Sequence, residues 1–355
     1  MELDRLREIN ATPRAPTSPT KERQTKQSEH NSMKSCFKSR MVARFALVLV
    51  TAVSILAGQN SLAGADPFTK VVVFGDSLSD TGNFFELSGG SPPPPYADGR
   101  FSNGSLWIEY LVASLGLELH QADNYAVAGA TTGHLNSNNG FAGHTYPGLQ
   151  DQIAGFASDV GAPGADPNAL YVLWVGPNDF FVTLETGGTP AALIGNGVAN
   201  TVQAVQTLAG LGAQHILVVN IPDLGLTPYA QSSGLAPVVT LLCTLYNQAL
   251  DGALQTLEDN GVETIRVDAF VALQAMVNEP ENFGFENVTV PYLSVGGDAD
   301  AFLFWDIVHP TTRGHEVFGA AALDAIIDFY SPSRGRDSDS SRVNALNGLV
   351  RAHSN

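Results

Sequence analysis

Positive charge is scarce in this sequence. Its 355 residues include 18 Lys and Arg against 35 Asp and Glu. Ten of the basic and five of the acidic residues fall within 1–65, which leaves 8 against 30 beyond that point, a net charge of −22. Between 66 and 330 only Lys70, Arg100, Arg266 and Arg313 are basic. Such a chain repels nucleic acid, so that partner is excluded, and its surface suits high salt or a mildly acidic medium, where self-repulsion is damped. Long apolar runs are lacking too. FALVLVTAVSILA (45–57) is too short for a comfortable membrane span; it follows Lys34, Lys38, Arg40 and Arg44 and leads into Ala63-Gly64-Ala65. That is the form of a secretory signal peptide, so export to the periplasm or medium is expected, with cleavage near Ala65 and no membrane span afterwards. Residues 1–32 are polar, and Met33 is an equally good start. Cysteine is the third scarcity: Cys36 lies in the leader and Cys243 alone follows it. An internal disulfide, a CxxC metal site and a redox pair are thereby excluded from the mature chain.

What remains is 44% hydrophobic and 15% charged, enough for a sizeable core. Four short apolar runs read as strands, at 69–74, 169–175, 214–220 and 262–268, and helical spacing of apolar residues recurs at 103–115, 198–211, 237–259 and 312–329. Strand and helix in alternation predict an α/β domain over 66–330: three layers, αβα, around a mostly parallel sheet. Loops at 88–99, 134–148 and 278–300 have the Gly, Pro and Asn content of lids or of plain surface insertions, and the four prolines at 92–95 predict an extended, stiff piece. Residues 331–355 read as a flexible polar tail, and no internal repeat is present.

The first strand ends in VVVFGDSLSDTGN (71–83), a buried run cut off by Gly75 and followed by Asp76, Ser77 and Asp80. The end of a strand in an open parallel sheet is where ligands bind, so Ser77 is a candidate nucleophile, although Gly, Asp and Ser also make ordinary turns and caps. A nucleophilic serine needs a base, and a histidine oriented by a carboxylate supplies one. Asp306 stands three residues before His309, with Pro310 directly after it. Pro310 restrains His309 from helical geometry, so Asp306 to His309 is a turn in which the carboxylate reaches one imidazole nitrogen and leaves the other for Ser77. A helix-capping Asp beside a surface His is the alternative. Acyl transfer also needs donors for the developing oxyanion. LYVLWVGPNDF (170–180) brings Asn178 to the same sheet edge, and NYAVAGATT (124–132) brings Gly129, whose bare backbone N–H can approach a substrate closely. Each signal is weak alone.

In this order the four segments resemble the SGNH or GDSL hydrolase family of lipases and esterases, over essentially all of 69–320. PPPPYADGRFSNG (92–104), NIPDLG (220–225), YNQALDGAL (246–254) and NEPEN (278–282) resemble its plant-type branch and bacterial relatives. The resemblance implies a flavodoxin-like sheet, Ser77 as nucleophile, His309 as base and Asp306 as its orienting partner. It further implies that Gly129 and Asn178 join the Ser77 N–H as oxyanion donors, with Ala128 standing where many relatives have a second Gly. Asp76, Asp80, Asn83 and Asp179 are expected to brace the loops.

The expected activity is secreted carboxylic ester hydrolysis through an acyl-enzyme, without cofactor or metal, by a monomer acting on a small-molecule or lipid ester or an acylated polysaccharide. Phe84, Phe85, Tyr96, Phe101, Phe141, Tyr146 and Phe180 lie near the motifs and are candidates for an acyl pocket as well as for core packing. Three alternatives stand beside it. Acyl transfer to an alcohol or sugar would use the same triad. A metal-dependent phosphoesterase is disfavoured, because no Gly-Asn-His-Asp/Glu segment occurs and one Asp–His pair is too few ligands for two metals. A non-catalytic carbohydrate-binding protein on the same fold would have no reason to keep Ser, Gly, Asn and His together.

Overall fold

Four of the apolar runs form the sheet. Val71–Gly75 (β1), Leu170–Trp174 (β2), His215–Val219 (β3) and Ile265–Val267 (β4) pair in parallel in that order. Every residue of β1 and β2 is buried, so both read as continuous hydrophobic stretches rather than as alternating ones. This computed structural model describes residues 68–330. The leader, its cleavage site and the polar tail read from the sequence lie outside the described residues.

On the free side of β1 the segment from Asn124 to Val127 runs parallel to it: the Tyr125 N–H donates to the Val73 carbonyl at 2.8 Å and the Val127 N–H to that of Gly75 at 3.1 Å. The chain therefore places its second extended segment on one side of β1 and every later strand on the other, the 2-1-3-4-5 order of a flavodoxin-like sheet. In such a sheet the crevice opens at the carboxyl end of the strand where the winding reverses. That strand is β1, and Ser77 follows it by two residues.

The helices are Asn83–Ser88 (α1), Trp107–Ser114 (α2), Leu149–Val160 (α3), Pro177–Thr186 (α4), Pro190–Leu211 (α5), Pro228–Ser233 (α6), Ala236–Asp259 (α7), Ala269–Asn278 (α8), Pro280–Phe283 (α9), Tyr292–Val295 (α10) and Thr312–Tyr330 (α11). Alternate strand residues face opposite layers. Val71, Val73, Val172 and Trp174 pack with α2, α8 and α11, whereas Val72, Phe74, Tyr171 and Leu173 pack with α3, α5 and α7. This is the three-layer architecture that the pattern predicts.

Three local expectations change. The helix over 103–115 starts only at Trp107, where the Glu109 carboxylate caps the Leu106 N–H at 2.8 Å. The helix expected from 198 begins at Pro190, capped by the Thr189 hydroxyl, which accepts the Ala192 N–H; Gly195 and Gly197 hide its first turns in the sequence. Gly197 is required there, since a Cβ would lie 2.6 Å from the Tyr246 ring. The proline stretch is not extended: it turns at 94–95 and 98–99, with the Ser91–Pro92 and Pro94–Pro95 bonds cis. Its Tyr96 N–H donates back to the Pro93 carbonyl.

Candidate active site

Past β1 the chain must turn without losing the strand. Gly75 is the residue that allows it, for a reason invisible in the sequence: its backbone is ordinary, but a Cβ would sit 2.5 Å from the Trp174 carbonyl on β2. The Gln152 side chain on α3 holds Gly75 from the other side, its Oε1 accepting the Gly75 N–H at 2.9 Å and its Nε2 donating to the Gly75 carbonyl at 2.8 Å. Asp76 then closes a turn, its Oδ1 accepting the Leu78 N–H and its carbonyl accepting the Ser79 and Asp80 N–H groups, all at 3.0 Å. Ser77 is left at the apex of that turn, partly exposed between buried neighbours.

The Ser77 Oγ lies 2.9 Å from His309 Nε2, and His309 Nδ1 lies 2.7 Å from Asp306 Oδ2. The other carboxylate oxygen, Oδ1, accepts the backbone N–H groups of Val308 and His309 at 2.9 and 2.8 Å. The turn is clamped to the rest of the protein by the segment ahead of α2. The Ser102 hydroxyl donates to the Pro310 carbonyl at 2.9 Å, and the Asn103 Oδ1 accepts the Thr312 N–H at 2.8 Å. Burial works to raise the Asp306 pKa, but the charge and hydrogen bonds of His309 outweigh it and hold the carboxyl at about 2. Burial works to lower that of His309, and the Asp306 carboxylate overcomes it, so the imidazole titrates above its ordinary range. With Oδ2 as acceptor, Nδ1 carries the proton and Nε2 is the free base facing Ser77.

The remaining two candidates sit beside this row. Gly129 has φ +83°, and a Cβ there would meet Asn138 Nδ2, with Asn136 Oδ1 at 2.5 Å and Ser137 Oγ at 2.7 Å. The neighbouring Ala128 N–H is taken by Asp80 Oδ2 at 2.8 Å, whereas among the described residues the N–H groups of Gly129 and Ser77 donate to none. Of the two neighbours, Gly129 is thus the one whose N–H is left to meet a substrate. Asn178, in the first turn of α4, donates from Nδ2 to the Ala130 carbonyl at 3.1 Å and, more loosely, to Asp76 Oδ2 at 3.3 Å. Both Ser77 and Asn178 line a cleft of about 390 Å³ with His309.

The bracing carboxylates are at work as well. Asp80 accepts the N–H groups of Gly82, Asn83, Phe84 and Ala128, and Asp179 accepts both the N–H and the hydroxyl of Thr132, at 2.9 and 2.6 Å. The Asn83 side chain donates to the Asn124 and Ala126 carbonyls. Burial raises the three carboxyls Asp76, Asp80 and Asp179, to about 7, 6 and 6. A raised carboxyl stabilises the fold fully below its ordinary value of 3.8 and loses that contribution as pH rises through 6 to 7. His309 changes in the same sense above its ordinary 6.5; Asp306 and Asp166 act oppositely below 3.8, and buried His315 with half-buried His215 act oppositely below 6.5, offsetting part of the loss from the three carboxyls. The melting temperature is therefore expected to fall by roughly 5 °C between pH 5 and pH 8 at fixed salt; a flat or rising profile by circular dichroism would contradict this.

Of the other histidines, His134 pairs with Asp151 at 2.7 Å on the surface, and His315 is buried on α11, its pKa pushed down to about 3 by desolvation. Among the aromatic candidates, core packing is the role that Phe84, Tyr146 and Phe180 take. Phe84 and Tyr146 form a small cluster with Phe101, and Phe180 packs against Tyr246. The cleft beside Ser77 is instead lined by Trp174, Phe181, Phe304 and Phe318. Trp174, Phe304 and Phe318 are buried as deeply as core residues, so core and pocket residues read alike in the sequence.

Sequence reasoning missed what Tyr96 does. Its hydroxyl donates to Asp306 Oδ2 at 2.9 Å, across 210 residues, and Phe101 lies against the His309 ring with centroids 5.1 Å apart. Both residues line a second cleft of about 340 Å³ that also reaches His309. Only proximity to the motifs marked them. Tyr96→Phe is expected to strengthen the Asp306–His309 attraction by freeing Oδ2, to move the acid limb of the rate–pH profile to higher pH, and to lower kcat by about tenfold or less, the low end of one hydrogen bond to a charged group at about 1.5 kcal/mol. A loss of rate with an unmoved limb would show packing alone.

Comparison with known proteins places this geometry in context. The family model described as GDSL-like lipase/acylhydrolase matches residues 71–322. The chain is 31% identical over 317 residues to the phosphatidylcholine-sterol acyltransferase of Aeromonas hydrophila, covering 74% of this chain and 91% of that protein. It is 27% identical over 285 residues to the thermolabile hemolysin of Vibrio parahaemolyticus, covering 73% of this chain and 64% of that one. Among solved structures it is similar to Est24, a carbohydrate acetylesterase from Sinorhizobium meliloti, with 20% identity and a TM-score of 0.44 over 73% of this chain and 99% of that one.

Proposed function

The chain belongs to the GDSL-like lipase/acylhydrolase family, and from that premise we propose that it is a secreted serine hydrolase that cleaves carboxylic esters through an acyl-enzyme on Ser77. The observation that carries this reading is the unbroken row from Ser77 Oγ to His309 Nε2 and from His309 Nδ1 to Asp306, at 2.9 and 2.7 Å. Ser77 Oγ attacks the ester carbonyl while its proton passes to His309 Nε2, and Asp306 stabilises the imidazolium that results. The carbonyl oxygen becomes an oxyanion held by the Ser77 and Gly129 N–H groups and the Asn178 amide. Asn178 enters that role by exchanging its long bond to Asp76. Burial raises the Asp76 pKa to about 7, so its carboxyl is about half protonated at neutral pH and repels the oxyanion less than a fully ionised carboxylate would. The imidazolium then protonates the leaving alcohol as the C–O bond breaks. Water, deprotonated by His309, attacks the acyl-enzyme, releases the acid and restores Ser77.

A second reading, acyl transfer, is favoured by the aromatic-sided cleft at His309, where an alcohol could lie in place of water, and by the activity in the name of the Aeromonas relative. Phospholipid, short-chain ester and acetylated polysaccharide are the candidate substrates, and the protein acts as a monomer in this proposal. Among the described residues no helix is long and apolar enough to cross a membrane.

The test is covalent. A serine-directed phosphonate is expected to add once per chain, at Ser77 in the peptide mass map, and to abolish p-nitrophenyl butyrate hydrolysis, while EDTA leaves that hydrolysis unchanged. Labelling elsewhere with full loss of activity, or inactivation by EDTA, would overturn the assignment. Product analysis with an added alcohol separates transfer from hydrolysis, and the N-terminus of protein collected from the medium tests cleavage near Ala65.

A further inference from the structure

The longest gap in charge along the domain lies in its middle. Residues 66–330 contain 28 acidic and four basic residues, yet from 186 to 250 the one formally charged residue is Asp223, which is buried. At the mean density of the domain about eight charges would fall in a stretch of that length. The gap covers the end of α4, all of α5 and α6, and the first half of α7. Within it α7 carries two apolar faces. Val239, Cys243, Tyr246 and Leu250 face the core, as the sheet requires. Val238, Leu241 and Leu245 recur at i, i+3 and i+7 on another side, 56%, 56% and 42% exposed. Isolated exposed leucines are ordinary, but a stripe of them on a surface without charge is a mark of an interaction site.

The stripe leads to the catalytic mouth. Leu235, also exposed, donates its N–H to the Ala230 carbonyl of α6. On α6, Tyr229 is exposed, stacks edge-on with Phe181 of α4 at 5.6 Å, and donates its N–H to the carbonyl of exposed Ile307. Phe181, Tyr229 and Ile307 all line the cleft that holds Ser77. The one exposed charge at this rim is Glu185, at the edge of the gap.

We propose that this face, from Ile307 and Tyr229 along α7 to Leu245, docks on the surface of an electrically neutral or zwitterionic lipid aggregate and delivers ester groups from it to Ser77. The proposal rests on the ester-hydrolase reading above and narrows its substrate class to lipid. The choice of occupant follows from charge. A basic or acidic protein partner would be met by complementary charge, and none is present on this face. An anionic membrane would be repelled by the remaining surface, where acidic residues outnumber basic ones sevenfold. A neutral lipid surface imposes neither requirement and accepts the leucines directly.

Flotation of the secreted protein, collected from the medium and carrying Ser77→Ala, with phosphatidylcholine vesicles measures docking without turnover. Binding is expected to phosphatidylcholine vesicles and to fall by at least about tenfold when anionic phosphatidylglycerol is added at low salt. In the Leu241→Glu/Leu245→Glu variant, flotation is expected to fall by roughly tenfold or more, together with hydrolysis of vesicle phospholipid by the Ser77 enzyme. Hydrolysis of dissolved p-nitrophenyl butyrate should stay within about twofold, which also reports that the variant is folded. The milder Leu241→Asn/Leu245→Asn pair should fall in between. Absence of flotation by the parent, or flotation unaffected by both variants, overturns the proposal. So does a dimer in sedimentation that the same substitutions dissociate while vesicles are ignored, since the face would then belong to a second copy. Failure of the hydrolase reading looks different: dissolved ester would not be hydrolysed by the parent, whatever the vesicles show.

Discussion

Ser77→Ala is expected to lower kcat on p-nitrophenyl butyrate by about 10⁴ to 10⁶-fold, and His309→Ala by a similar factor, with the double variant no worse than either alone. The non-additivity is the informative part. Ser77 and His309 are joined by one 2.9 Å contact; without the base the alcohol is a poor nucleophile, and without the alcohol the base has nothing to activate. Residual rate above water should persist in all three, because the proposed oxyanion donors, the N–H groups of Ser77 and Gly129 and the Asn178 amide, remain in place. KM should change little. Double-variant losses that multiply would show that the two side chains act separately and that the row of hydrogen bonds is not the reacting unit.

The second large effect falls on stability. Asp80 is buried and accepts four backbone N–H groups, from Gly82 and Asn83 on one oxygen and from Phe84 and Ala128 on the other. Asp80→Ala strands these donors. Even at about 1 kcal/mol for each, the loss is on the order of 4 kcal/mol, and at 2–4 °C per kcal/mol for a domain of this size the melting temperature should drop by roughly 10 °C. Asp80→Asn keeps one accepting oxygen and turns an amide against the other pair of donors, so it should fall between the parent and alanine. The Ala128 bond also sets the entry to Gly129. Asp80→Ala is accordingly expected to lose activity even well below its own melting temperature, and an equally active variant would separate the brace from the oxyanion turn.

Much of this architecture was legible because burial leaves an imprint on residue type. The runs at 69–74 and 169–175 are apolar throughout since both faces of β1 and β2 are covered. The Asp306–His309 turn was readable from Pro310, which forbids a helix at that point. Gly129 carried its own signal, a residue without a side chain in a crowded, left-handed turn. Other features depended on contacts between segments far apart in sequence, and no local pattern encodes those. Tyr96 lies in a proline-rich loop that reads as a stiff spacer, yet the loop folds back and its hydroxyl meets Asp306. Gly75 looked like a turn residue, and its actual reason is a neighbouring carbonyl on β2. The aromatic lining of the cleft comes from Trp174, Phe304 and Phe318, whose sequence context is that of any core residue.

The Gln152 side chain grips Gly75 through both its oxygen and its nitrogen, in effect lending the sheet a peptide group from another part of the chain. Beyond its two sheet neighbours, the end of the strand that leads to Ser77 is therefore held by one exchangeable side chain on α3, and its placement is open to adjustment from outside the cleft. Replacements along α3 that tilt this amide by fractions of an ångström would re-aim Ser77 without altering any group that meets the ester. Laboratory evolution of this enzyme should find useful changes there, remote from the chemistry they tune.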